Sequence, residues 1–341
     1  MKKFTVVFSA LMILALASCA KLEGKNEFGW YTNYQECLSQ AKKSDKRIIH
    51  IISRDEDDHL SADLKKKVLY TPEFAAKYEN DYLFCETDIS HSLFMAAKPD
   101  VNADESVKKD SKKYEDILEK RMRVVTTFGI IDTPTLYIIS PEGYVIKDFR
   151  YLPFNTVEDF SVMLNEYDDE ISYKQGLITK VNESKGIDKV KAIDELYENT
   201  PVTFRYMLTE LMREVEKLDK DNTTGLVGKF VMAIATSDAM DAYISRTPEK
   251  IVGIYEECAK HPSLSSEQRQ QTYFAIAHVI GTNTPTPEET EMMIKYLQLT
   301  IDQKPDSEIA DRCRMNLAQI EDFKLRQKAA EERKKAEAAA E

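Results

Sequence analysis

Glycine is scarce in this chain, with 10 residues among 341. No G-x-G-x-x-G, P-loop or G-x-S-x-G run occurs, so a glycine-built phosphate cradle and a nucleophile elbow have no basis in the sequence. Cysteine is equally sparse: Cys19, Cys37, Cys85, Cys258 and Cys313 stand far apart, and no two have C-x-x-C spacing. That removes the dithiol redox motif and the zinc ribbon together. H-E-x-x-H is absent as well. Positive charge is in deficit, with 47 Lys and Arg against 59 Asp and Glu and a net charge of −12. The balance argues against nucleic-acid binding and gives no general attraction to anionic lipid headgroups. Long apolar runs are missing beyond Phe4–Ala17, which is shorter than the roughly 20 residues a helix needs to cross a bilayer.

What is present is an ordinary globular balance, 43% hydrophobic and 31% charged, in a chain long enough for two cores. Its N-terminus is the most specific motif. Lys2 and Lys3 precede the apolar stretch Phe4–Ala17, as in a secretory signal, and Leu16-Ala17-Ser18-Cys19 resembles the bacterial lipobox. The resemblance implies a leader over residues 1–18, an acylated Cys19, and a short polar tether over residues 19–28. Two or three acyl chains anchor stably, at about 0.8 kcal/mol per buried CH₂. The expectation is a lipid-anchored protein of the bacterial cell envelope, periplasmic or outer-membrane associated. Disulfides are permitted there. Cys37 could pair with Cys85 if the first helix packs over the strand holding Cys85, and Cys258 with Cys313 across helices. Buried free thiols are the favoured state, since each cysteine sits in an apolar setting.

Periodicity predicts a helix over Trp30–Lys43 and a buried strand over Ile48–Ile52. A helix over Leu60–Leu69 follows the polar break Ser53–Asp58. Thr71-Pro72 opens another helical turn, and Tyr82–Asp88 reads as a second strand. The polar, mixed-charge stretch Ala97–Lys113 reads as an inserted solvated loop. A helix resumes over Tyr114–Phe128. Strands over Leu136–Ile139 and Tyr144–Phe149 flank a turn with Pro141 and Gly143, and Asn155–Tyr167 is a closing helix.

The order of these signals resembles that of thioredoxin-like lipoproteins. Thr71-Pro72-Glu73-Phe74 matches that family's "TPEF" corner, and Phe128–Ile146 follows its "yGv.g.PTl...d..G.vi" pattern. The resemblance implies an α/β thioredoxin-like fold over residues 29–168 and a cis peptide at Thr133-Pro134. It also places Asp58-His59-Leu60-Ser61 where the two catalytic cysteines and their spacer belong. Neither cysteine is there. In redox-active relatives the backbone beside the cis-proline pairs with an extended peptide, so Thr133 and Pro134 are candidate peptide-binding residues. The proline could equally be kept only because the fold needs the turn.

Beyond Tyr167 the strand signal ends. Helical periodicity runs through Ile187–Tyr197, Val202–Leu218, Leu226–Ile244, Pro248–Lys260, Ser266–Ile280, Glu288–Thr300 and Ile309–Phe323. Residues 169–325 therefore read as an all-α, helical-hairpin, repeat-like domain. Met293–Ala310 resembles the junction between tetratricopeptide repeats, although the spacing of helix starts is longer than that family's. Residues 326–341 form a charged, solvated helical tail.

The chemistry these residues allow is limited. Thiol–disulfide exchange needs one thiolate to attack and another to resolve, and Asp58 and Ser61 can do neither. Asp55, Asp57, Asp58 and His59 form an acidic cluster with an imidazole that could suit Ca²⁺ or a transition metal. The frame of an EF-hand is missing, and carboxylates just before a helix are favoured by its N-terminal dipole alone. No cofactor is implied. The expectation is a non-catalytic binding or scaffolding module for an envelope protein or peptide, held at the membrane by its lipid. The alternatives are a thiol–disulfide oxidoreductase using Cys37 or Cys85, and a metal-binding module at the acidic cluster.

Overall fold

The computed structural model describes residues 24–55, 57–99, 104–150, 152–282 and 284–340. The leader, Cys19 and Glu56 of the acidic cluster lie outside them. The described chain divides into two compact units. The first runs to Lys180 and includes Glu198–Met207; the second comprises Val181–Tyr197 and everything from Leu208 onward.

The first unit is α/β. Its elements are α1 (Tyr34–Ser44), β1 (Arg47–Ser53), α2 (His59–Leu64), α3 (Pro72–Tyr78), β2 (Tyr82–Asp88), α4 (His91–Ala97), α5 (Glu105–Phe128), β3 (Thr135–Ile139), β4 (Val145–Phe149), α6 (Val157–Glu166) and α7 (Asp168–Glu183). A π-helical turn, Lys65–Leu69, continues α2. The sheet order is β2-β1-β3-β4; β1 and β2 are parallel, and β3 is antiparallel to both of its neighbours. Ile48, Ile49, Ile51 and Ile52 of the central strand are all fully buried, as expected of a strand covered on both faces.

Strand alternation sorts the two faces. Ile48 and Ile52 share a cluster with Tyr34, Cys37, Ala41, Cys85, Phe128 and Tyr137. The opposite face is aromatic: Trp30 stacks on Phe84 at 5.1 Å, and Phe74 meets both Phe84 and Phe160. Each such ring buries 150–250 Å² and dominates the local energetics. The predicted corner is formed by Thr71, whose hydroxyl accepts from Phe74 N at 3.2 Å, with Pro72 opening α3.

Two sequence expectations are corrected. The first helix starts at Tyr34 and not at Trp30. Asn33 caps it, and Tyr31 pairs with β2, its N–H donating to Phe84 O and its carbonyl accepting from Glu86 N, both at 2.8 Å. The stretch to Lys113 is helical from Glu105 onward, because Ile117 and Leu118 pack on Leu93 and Ala97 of α4 and hold the charged N-terminal turns in register. Residues 168–183 form a helix that periodicity did not reveal, tied to β4 by Lys147 Nζ and Glu170 Oε2 at 2.7 Å.

The second unit is all-helical: the body of α8 (Gly186–Glu198), then α9 (Thr209–Leu218), α10 (Val227–Ile244), α11 (Ile251–Ala259), α12 (Ser266–Gly281), α13 (Pro287–Gln303) and α14 (Glu308–Ala340). α12 and α13 start with full capping boxes, Ser265 with Gln268 and Thr286 with Glu289. Ile276, Ala277, Tyr296, Leu297, Ile301, Ala310 and Cys313 form one core cluster. Gln270, nearly fully buried, holds the α13 end: its amide donates to Thr300 O at 3.0 Å and Lys304 O at 2.9 Å. Beyond Phe323 the side chains of α14 are exposed wherever they are described, in keeping with a charged sequence that has no apolar stripe.

Candidate functional site

The register fixes where the site is. Ser53 pairs with Asp88 on one side, and Ile52 pairs with Thr135 on the other. The carboxyl end of β1 thus meets the end of β2 and the start of β3, with Pro134 beside Ser53. Ligand sites in open α/β sheets gather at such strand ends. Thr133-Pro134 is a cis peptide. Pro134 is buried, while Asp132 and Ile131 before it are exposed.

The turn that follows β1 is self-satisfied. Asp58 caps α2, accepting from Leu60 N at 3.0 Å and from the Ser61 hydroxyl at 2.6 Å. Ser61 is fully buried and also accepts from Arg54 N at 3.4 Å. These are the two positions that the resemblance puts in place of a dithiol, and both side chains hold the turn. Leu60, between them, is 70% exposed, and Ile131 of the cis-proline loop is 80% exposed.

The acidic cluster is dispersed among separate partners. Asp55 takes Lys65 at 2.8 Å, Asp57 accepts from His91 N at 2.8 Å, and Asp58 is spent on the cap. His59 is exposed. Among the described residues no three His, Cys, Asp or Glu side chains are grouped as metal ligands would be.

Behind the turn lies a charge network that the sequence did not disclose. Lys65 is 2% exposed, and its ammonium reaches Glu86 Oε2 at 3.0 Å as well as Asp55. Glu86 further accepts from Tyr70 OH and, at 2.9 Å, from Asn26 Nδ2. Burial alone would raise the Glu86 carboxyl, but Lys65 and these donors outweigh it and hold it below the usual range. Burial likewise opposes the Lys65 charge, and Glu86 and Asp55 restore it, leaving the ammonium above its ordinary value. Asp88 is different: burial and then the charge of Asp55 push its carboxyl up. It accepts from Ser90 Oγ at 2.8 Å and from Asp55 N at 3.2 Å. The one sequence signal for this network was a pair of acids, Glu86 and Asp88, inside an otherwise buried strand.

The four described cysteines are free and buried. Cys37 and Cys85 sit in one cluster, as an α1-over-β2 packing requires. Burial, then Cys37 itself, pushes the Cys85 thiol well up, which disfavours the thiolate that exchange chemistry needs. Cys258 and Cys313 belong to separate clusters of the second unit.

A family model described as a thioredoxin-like domain matches residues 34–166. The first unit is a thioredoxin-like domain. Its four-stranded mixed sheet, the TPEF corner and the cis peptide all fall within or at the edges of that match. Residues 226–325 match a second model, described as an uncharacterised protein C-terminal domain. Among solved structures, a DsbH oxidoreductase is similar at 14% identity and a TM-score of 0.30, over 42% of this chain and 85% of that one. No curated protein matches.

Proposed function

We propose that the thioredoxin-like domain is a binding module without thiol chemistry, taking an extended peptide or protein segment along the cis-proline loop. One observation carries this reading. Asp58 and Ser61 bond to each other at the turn, while Leu60 and Ile131 present exposed apolar side chains from the segment that leaves β1 and the one that enters β3. Extended peptides are recognised by main-chain pairing at a sheet margin together with pockets or patches for alternate side chains. In the same proposal the chain is an envelope lipoprotein held by acylated Cys19. The helical unit supplies a second contact surface, for which its apolar groove of about 580 Å³, lined by Phe274, Met293, Leu297, Ile320 and Phe323, gives support.

The test is peptide binding by fluorescence anisotropy on a library of extended fluorescent peptides. Leu60→Glu and Ile131→Glu should each weaken any hit about tenfold or more, since burying an unpaired charge against an apolar side chain is strongly disfavoured. Hits that survive both substitutions would sink the reading. The rival reading, thiol exchange through Cys37 and Cys85, has their shared cluster in its favour and their burial against it. Reduction of insulin by the unmodified chain, lost on Cys85→Ala, would establish it.

A further inference from the structure

On the other face of β2 from the charge network, the structure holds a cavity of about 200 Å³ lined by Tyr34, Thr87, Ile117, Arg121, Val124 and neighbouring residues of α1 and α5. Arg121 is 5% exposed. Its Nη1 donates to Asp88 O at 2.6 Å and lies 3.8 Å from the Asp88 carboxylate. Its Nε is buried with no partner. A buried guanidinium nitrogen without an acceptor is unfavourable; Nε itself is closed off from the cavity, and Arg121 lines it through its other atoms. Two further cations, Lys120 and Arg123, belong to the same wall. The start of α1 also borders the cavity, with Tyr34 and Gln35 of its first turn, the cap Asn33 and Thr32 before it; Asn33 Oδ1 already accepts from Gln35 N and Glu36 N.

We propose that this cavity is a binding site for a small organic carboxylate. The anionic end would accept from the part of the Arg121 guanidinium that lines the cavity, in a charge-assisted hydrogen bond. The body of the ligand would lie against Ile117, Val124 and the Tyr34 ring. Size and lining decide between ligand classes. A dry cavity of about 150 Å³ takes benzene, so this one has room for an aromatic or branched acid of about nine non-hydrogen atoms. An inorganic anion would leave the apolar wall without contacts and would forgo the burial that drives binding in such sites. The site is independent of the peptide-binding surface proposed above: it uses Thr87 and Arg121, and neither Leu60 nor Ile131.

The experiment is isothermal titration of the full chain with benzoate, benzamide and inorganic phosphate in turn. Benzoate should bind at one saturable site, and benzamide at least tenfold more weakly. Arg121→Gln should weaken benzoate tenfold or more. Val124→Phe, which fills the cavity without touching the guanidinium, should abolish the heat while the thermal unfolding transition stays cooperative. The proposal is overturned if benzoate gives no saturable heat at millimolar concentration, if benzamide binds as well as benzoate, or if phosphate alone binds. Benzoate binding that persists in Val124→Phe would overturn it even where Arg121→Gln proves too unstable to assay.

Discussion

Lys65 Nζ lies 3.0 Å from Glu86 Oε2, with the two side chains 3% and 11% exposed. Removing one partner of such a pair leaves an uncompensated buried charge. Lys65→Met should therefore destabilise the domain by roughly 3–5 kcal/mol, while Lys65→Met combined with Glu86→Met should recover most of the loss. The pair also has a pH signature. The Glu86 carboxyl is depressed in the folded state, so its contribution is present above the ordinary carboxylate range and disappears as pH falls through the folded value. Urea unfolding followed by circular dichroism on the three chains checks both parts. A single-variant loss below about 1 kcal/mol would mean that solvent screens the pair.

His50 makes a second pH-dependent contribution of opposite origin. It is fully buried, stacked on Tyr34 at 5.1 Å, with Nε2 at 3.0 Å from Thr87 Oγ1 and Nδ1 unpartnered. Burial lowers its pKa from 6.5 to about 3. Between those values the unfolded chain binds a proton that the folded chain refuses, so stability falls on acidification. The loss attributable to His50 should be about 2 kcal/mol at pH 5 relative to neutral pH. A His50→Gln chain should show a flatter profile between pH 7 and pH 5 by that amount. Coincident profiles would show that the imidazole charges inside the fold.

The parts of this fold that sequence reasoning found are those whose signals are local. The β-branched run at Ile48–Ile52 needs no partner to be read as a strand, and Thr71 with Pro72 announces a helix start within three residues. Where reading failed, the cause lay elsewhere in the chain. Tyr31 is extended because Phe84 and Glu86 offer it backbone partners. Glu105–Lys113 is helical because Ile117 and Leu118, further along the same helix, dock on α4. The pairing of Lys65 with Glu86 spans 21 residues, and a lysine in a basic run gives no hint that it is the buried one. The candidate site was legible to the same degree. Asp58, Ser61 and Pro134 are candidates by pattern, while Glu86, Asp88 and Arg121 became visible only in the folded chain.

In the helical unit, Gly228 marks a close approach that tolerates no side chain. A Cβ built there would stand 2.5 Å from Ser263 O and 2.6 Å from Gln268 Oε1, and the latter atom accepts from Ser265 N at 2.8 Å in the cap of α12. Gly228→Ala should therefore displace a backbone carbonyl and open the capping box together, with an expected loss of about 1–3 kcal/mol. The comparison is with Gly253→Ala, where a Cβ meets nothing within 4 Å and the better helix propensity of alanine should stabilise by up to about 1 kcal/mol. Thermal melting of the two chains should move in opposite directions. A shared direction would show that α10 does not approach the Ser263 loop this closely.

The proposal of a binding module without thiol chemistry is checked most directly by building a dithiol into it. Asp58 and Ser61 have C-x-x-C spacing at the start of a helix, one position exposed to the helix dipole and the other buried beneath it. A thiol at the N-cap has its pKa lowered by the free N–H groups and the dipole of that helix. Asp58→Cys with Ser61→Cys should therefore give a chain that reduces insulin with added dithiothreitol, while each single variant, lacking a resolving thiol, should not turn over. Lys65, one turn further on, would be expected to depress the new thiols further. Its replacement by Met in the double-cysteine chain should slow exchange near neutral pH by lowering the thiolate fraction. A double-cysteine chain that forms its disulfide yet stays inert would mean that the cis-proline loop no longer admits a substrate, and the peptide-binding proposal would fall with it. Turnover in the double variant alone would show that the scaffold of the exchange reaction is intact and that only its two sulfur atoms are gone.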